Sequence, residues 1–152
     1  MSHVLSARVE VTFDYTRSLG PIMGRFFQAL KEGRIEGVRG SDGRVHCPPP
    51  EFDPVTSEAL PREGDDFVAL GSEGEVVTWS WMPEPLEGQP LERPFAWALI
   101  RVDGADTPML HAVDVSTSDA MAAGMRVRAR FNAEGEGMRA VECFEPVGEG
   151  GV

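Results

Sequence analysis

The chain has 152 residues, 41% of them hydrophobic and 26% charged, with a formal net charge of −11. That length suits one compact domain burying roughly 70% of its unfolded surface, and the acidic excess argues against nucleic acid, whose binding relies on clustered cations that release counterions. No run approaches the roughly eighteen apolar residues of a membrane span, and Arg8, Glu10, Asp14 and Arg17 interrupt the first twenty residues, so neither a span nor a signal peptide is expected and the expected location is cytoplasmic.

In chain order, "ARVEVTFDY" alternates apolar Ala7, Val9, Val11, Phe13 and Tyr15 with polar Arg8, Glu10, Thr12 and Asp14, the period of a half-buried strand. "SLGPIMGRFFQALKEG" follows as a short amphipathic helix: Pro21 lies near its start, Ile22, Phe26 and Leu30 recur every four residues beside Met23 and Phe27, and Gly33 stops it. From Gly37 to Glu63 the prolines, glycines and aspartates suit turns and extended chain rather than a core. Beyond "REGDD" the text turns β-rich in five stretches: Glu75 to Met82, Phe95 to Val102, Pro108 to Val115, Met125 to Phe131 and Met138 to Pro146.

Between the third and fourth stretches, Ser116 to Ser118 can cap a helix of one or two turns that contains Met121 and ends at Gly124. Five strands with a helix after the third is the order of an OB-fold, a small Greek-key barrel, with a plain five-stranded sandwich as the alternative. The expected organisation is an N-terminal strand and helix over 1–36 that docks a partner, a ribbon-like segment over 37–63, the barrel over 64–146, and a flexible tail over 147–152. No internal repeat is visible.

The order of these parts resembles a family of acyl-CoA-associated proteins, domain of unknown function 35, in which a rubredoxin-like zinc ribbon precedes an OB-fold. The likeness covers Phe26 to Pro146 and rests on "FFQALKEGRIEGVR", "GRVHCPP", "GSEGEVVTWSW", "RPFAWALIRVDG", "GMRVRARF" and "CFEP" in that order. Metal-binding members place four cysteines around the Pro-Pro pair, since four thiolates make a closed tetrahedral zinc site. Anchored on Pro48-Pro49, those positions fall here on Arg39, Asp42, Asp53 and Thr56, none of them a cysteine. The resemblance therefore implies a metal-free knuckle. We expect the Arg39 guanidinium between Asp42 and Asp53 in place of zinc, or else unrelated solvated charges on a loop. His46 and Cys47, adjacent on extended chain, point apart and make a poor chelate.

Catalytic groups are sparse, and no catalytic residue is assigned. His111 lies in a strand and reads as a packed or surface histidine, and Lys31, the single lysine, sits at the polar end of the helix where nothing desolvates it for Schiff-base chemistry. Glu84, Glu87 and Glu92 belong to a Pro/Gly-rich hairpin and read as solvated. Cys47 and Cys143 read as reduced thiols.

Two features point to binding. Arg126, Arg128 and Arg130 share one strand face; the resemblance makes coenzyme A their candidate anion, and a solvent-facing row relieved by nearby acids is the alternative. Ile22, Phe26 and Phe27 on the helix, with Trp79 and Trp81 on the first barrel strand, are candidate partner contacts; the alternative is that the core absorbs the tryptophans, on a face shared with Val77. The resemblance implies no cofactor bound by this chain, and a hetero-oligomer with a thiolase-like, lipid-transfer-type enzyme that acts on acyl-CoA thioesters. Such a partner carries the catalysis, with carbon–carbon cleavage in steroid or fatty-acyl side chains as the expected chemistry. A self-sufficient acyl-CoA binder or enzyme is the rival, and an OB-fold nucleic-acid binder is the reading the charge disfavours most.

Overall fold

The computed structural model describes residues 7–13, 15–61 and 64–148. Asp14 and residues 149–152 of the expected tail lie outside the described residues. Helix α1 spans Gly20–Lys31 with Pro21 at its start, where the missing N–H costs nothing. It ends where Gly33 takes a φ of +75° and the Arg34 N–H closes back on the Ala29 carbonyl at 2.9 Å. Its apolar face is covered within the chain: Ile22, Ala29 and Leu30 are buried, and Phe26 is 0% exposed.

Strands β1 (Ile35–Arg39), β2 (Val45–His46) and β3 (Phe67–Leu70) form a small antiparallel sheet in the order β2-β1-β3. Within the region 64–146 expected for the barrel, the first strand therefore belongs to this small sheet and not to the closed barrel. This sheet is pinned to the barrel by the loop that holds Asp106 and Thr107, where the Val45 N–H donates to Asp106 Oδ2 at 2.7 Å and the Cys47 N–H to Thr107 Oγ1 at 2.9 Å.

Five strands close the barrel: β4 (Glu73–Met82), β5 (Phe95–Val102), β6 (Met109–Val113), β7 (Arg126–Phe131) and β8 (Val141–Pro146), in the cyclic order β4-β5-β6-β8-β7. All neighbours are antiparallel except β6 with β8, which run parallel through Val113 and Phe144. This is OB-fold order, and the β4–β7 pairing that shuts the barrel excludes the open sandwich. The β4–β5 pairing brings backbones very close at Gly74, where a Cβ would lie 2.7 Å from the Arg101 carbonyl oxygen. Phe26 and Leu30 of α1 join Val76, Ile100, Val113 and Phe144 in one core cluster, so the helix is part of the domain rather than an appendage.

Three expectations are corrected. Residues 7–13 and 15 form no strand: the alternation is real, but no sheet edge lies beside it, and Val9, Val11, Phe13 and Tyr15 stand exposed. The helix expected over Ser116 to Gly124 is a single 3₁₀ turn, Ser118–Ala120, because so short a segment cannot repay helix nucleation; Met121 is nonetheless buried in the core. The last strand starts at Val141, since Gly137–Ala140 turn as a 3₁₀ segment packed beneath α1, with the Phe27 ring over Gly137.

Candidate functional site

The knuckle closes around one carboxylate. Asp53, 1% exposed, accepts the Ser41 N–H on Oδ2 at 2.6 Å and the Val55 and Thr56 N–H groups on Oδ1 at 2.8 and 3.0 Å. Both turns of the ribbon frame are thereby tied to a single side chain. The backbone N–H groups of Ser41 and then Thr56 hold its carboxyl well below the usual carboxylate range, because each bonds the ionised form. Asp42 accepts locally, from the Arg44 N–H at 3.0 Å. Arg39 corrects the expectation of a central guanidinium: it donates to the Gly43 carbonyl at 2.9 Å and, among the described residues, makes no ion pair, because it projects to solvent at the end of β1.

A family-type zinc does not fit these donors. Of the four positions, one is a cation, one is an exposed threonine, and the buried aspartate already spends both oxygens on backbone N–H groups. Among the described residues no three His, Cys, Asp or Glu side chains are grouped to hold a metal. Nearby, His46 Nε2 is buried with no hydrogen-bond partner among the described residues, and would lie 3.1 Å from a Cβ on Gly40. Cys47 packs on Met109, and burial pushes its thiol up to about 12, so it offers no thiolate at neutral pH.

The arginine row stands on the outer face of β7 as its alternation requires, and each member is met by acids. Arg126 pairs with Asp103 through both carboxylate oxygens, at 2.8 and 2.5 Å, and with Glu73 at 3.4 Å. Arg128 pairs with Glu145 at 3.1 Å, and Arg130 with Glu142, Glu145 and Asp114 at 2.9, 3.2 and 3.2 Å. The Asp103 bonds raise Arg126 further above its already high value, as the Glu142 bond does for Arg130.

Of the apolar candidates, Phe26 is buried in the barrel's core cluster and Ile22 is buried as well, so neither presents a surface; Phe27 is half-buried beside them. The partner-facing expectation for the helix is corrected on that account: its apolar face meets the chain's own core. Trp79 and Trp81 are half-buried against the same core, but they share their face with Val76 instead of Val77. A bulge between Val76 and Thr78 adds one residue to β4, which turns Val77 outward at 40% exposure.

Sequence reasoning missed a cleft of about 660 Å³ on the outer face of β5 and β6, between the 83–94 hairpin and the segment before β8. Trp97, Leu110 and Leu86 contribute apolar surface, and Arg139 bridges the two walls by donating to the Gly88 carbonyl at 3.1 Å. OB-folds bind oligonucleotides and oligosaccharides on this face, yet Glu87, Glu92 and Glu142 line it here, which repels phosphate. His111 reaches the cleft from a buried position edge-on to Phe144, and burial lowers its pKa and favours the neutral ring. Behind the cleft Cys143 is buried too, its thiol pushed up to about 12 by desolvation. Lys31 and Glu84 are exposed as expected.

The fold and site thus define an OB-fold protein fronted by a carboxylate-closed, ribbon-like sheet. Residues 67–132 match the family model of the ChsH2 C-terminal OB-fold domain. No curated protein matches the sequence. Among solved structures, a DUF35-family protein of unknown function from Sulfolobus solfataricus is 22% identical with a TM-score of 0.56, over 72% of this chain and 78% of that one. The Ltp2-ChsH2(DUF35) aldolase gives 19% identity and a TM-score of 0.60, over 86% of this chain and 98% of its own. At these identities the likeness establishes the shared fold. No helix among the described residues is long and apolar enough to cross a membrane.

Proposed function

We propose that the chain is a non-catalytic accessory subunit that assembles with a thiolase-like, lipid-transfer-type enzyme acting on acyl-CoA thioesters, in a retro-aldolase or thiolase step on a steroid or fatty-acyl side chain. The observation that carries this reading is the match of residues 67–132 to the ChsH2 OB-fold domain. It is supported by the alignment of nearly the whole chain with a subunit of an aldolase that pairs ChsH2 with Ltp2. In this reading the cytoplasmic complex, not the chain alone, holds the substrate, and coenzyme A thioester is substrate rather than resident cofactor. Arg126, Arg128 and Arg130 are its candidate contacts for the coenzyme A phosphates, each reached by exchanging a carboxylate partner for a phosphate of matching geometry. Trp79, Trp81 and Phe27, being only half-buried, remain candidate contacts with the partner.

The test is affinity purification of the tagged chain from its native cell, identification of what coelutes, and an acyl-CoA assay of the chain alone and of the complex. Activity confined to the complex is expected. Turnover by the isolated chain would defeat the accessory role. A second reading, a self-sufficient acyl-CoA binder, draws on the cleft beside Trp97, and titration of the isolated chain with acyl-CoA distinguishes it.

A further inference from the structure

The cleft on the outer face of β5 and β6 has walls that the chain fixes by itself. In the 83–94 hairpin the Leu86 N–H donates to Gln89 Oε1 at 2.9 Å and the Gln89 N–H to the Leu86 carbonyl at 3.1 Å, while Gly88 turns at a φ of +86°. Arg139 of the opposite wall holds that turn through the Gly88 carbonyl. On the floor the Trp97 ring is set edge-on to Phe95, with centroids 5.2 Å apart. The volume of about 660 Å³ falls within the range of about 300–1,000 Å³ usual for binding sites. Its surface is apolar where it opens: Trp97 is half-buried, and Leu86 and Leu110, on different elements, stand 69% and 57% exposed.

The charge around this opening is one-sided. Glu87, Glu92 and Glu142 line the cleft, and Arg139 is the one cation among its lining residues. Glu142 is met by Arg130 at 2.9 Å, whereas Glu87 and Glu92 make no hydrogen bond or ion pair among the described residues. Beside β7 the acids Glu73, Asp103 and Glu145 each answer an arginine. Here two carboxylates stand unanswered next to exposed leucines, a surface complementary to something apolar and cationic at once.

We propose that this cleft receives a segment of the partner subunit that carries an apolar side chain flanked by arginine or lysine, the apolar group resting on Trp97 and Leu110 and the cations facing Glu87 and Glu92. The inference rests on the accessory-subunit reading and specifies how the contact is made. Free acyl-CoA is the poorer occupant, because its phosphates would meet carboxylates. A small amine would fill the floor but leave the leucines at the opening in water and answer one carboxylate of the two. A polypeptide lying across the cleft covers both leucines and brings more than one charge. The desolvated apolar anchor then supplies affinity, and the rim charges supply specificity and speed of encounter.

The experiment uses the complex of the full chain with the thiolase-like subunit that coelutes with it. A photo-crosslinking residue in place of Leu86 should join the partner at a segment where arginine or lysine adjoins an apolar side chain. Glu87→Lys combined with Glu92→Lys should weaken assembly by about tenfold or more, and glutamate in place of the crosslinked partner cation should restore it. Glu87→Gln combined with Glu92→Gln should cost less and should flatten the salt dependence of assembly. Leu110→Asn should weaken assembly by about tenfold. Every one of these variants should melt with the parent chain when isolated, since the altered side chains are exposed and make no bond that folding uses. Crosslinks that are absent or land on an acidic segment, or assembly indifferent to the charge reversal and to Leu110→Asn, overturn the docking site and leave the accessory role standing. Failure of the intact chain to assemble with any thiolase-like protein overturns both. Saturable binding of acyl-CoA to the isolated chain that Leu110→Asn abolishes overturns the choice of a protein segment as occupant.

Discussion

Inside the barrel the fully buried side chains are apolar, with Val76, Ile100, Val102, Met109, Val113 and Phe144 each at 1% exposure or less, whereas the buried side chain that closes the knuckle is a carboxylate, Asp53, also at 1%. Apolar burial is non-directional, roughly proportional to area and indifferent to pH. A carboxylate clamp is directional, and it works only while ionised. One acid of the right reach can therefore hold both turns of the knuckle by gathering their backbone N–H groups, but this closure carries a pH dependence that the barrel lacks.

That contrast can be broken by experiment, most forcefully at Phe26. Phe26→Ala should lower global stability by about 3–5 kcal/mol, the usual cost of emptying a buried aromatic site, read by chemical denaturation. An unchanged midpoint with weakened partner binding would move Phe26 from the core to an interface. Gly74→Ala comes next, at about 1–3 kcal/mol, because its Cβ must displace the Arg101 carbonyl from 2.7 Å; a neutral result would mean that the barrel closes more loosely than its β4–β5 crossing suggests.

The knuckle should respond locally and to acid. The Asp53 carboxyl sits below its unfolded value, near 3.9 for a free aspartate, so its contribution is complete above about pH 4 and is lost as pH falls through the depressed folded value. Amide exchange at Ser41, Val55 and Thr56 should therefore accelerate in acid before exchange along β5 does, and Asp53→Asn should show the acceleration already at neutral pH. Glu36, held down first by Arg25 and then by Arg34, adds to the same acid limb between α1 and β1. Synchronous loss of both regions would merge them into one cooperative unit. The smallest effect on folding is expected from Arg126→Gln, Arg128→Gln and Arg130→Gln together, since exposed pairs are screened. In the assembled complex the same triple variant should bind CoA thioesters more weakly, and unchanged affinity would assign the row to its carboxylates alone.

Much of the fold was legible because it is written in consecutive residues. The β-rich stretches located all five barrel strands, Phe95–Val102 at both ends, and Pro21 and Gly33 bracketed α1. The candidate site was less legible. The bulge that separates Val77 from Trp79 leaves no mark in a sequence where Val76 and Val77 are both apolar. The cleft draws its walls from residues 86–92, 97, 110–111 and 132–142, whose proximity exists only after the barrel closes.

By itself the sequence determined roughly where the five barrel strands and the helix α1 lie, that the strands follow in OB order, and that the knuckle lacks thiolates, because backbone preference and ligand chemistry belong to residue types and their nearest neighbours. Only the tertiary structure decided which apolar face is covered and which stands open, as between Phe26 and Phe13, and which charges meet, as Asp53 meets Ser41 and Arg126 meets Asp103. Burial and pairing are relations between segments far apart along the chain, and no local pattern encodes which of them will close.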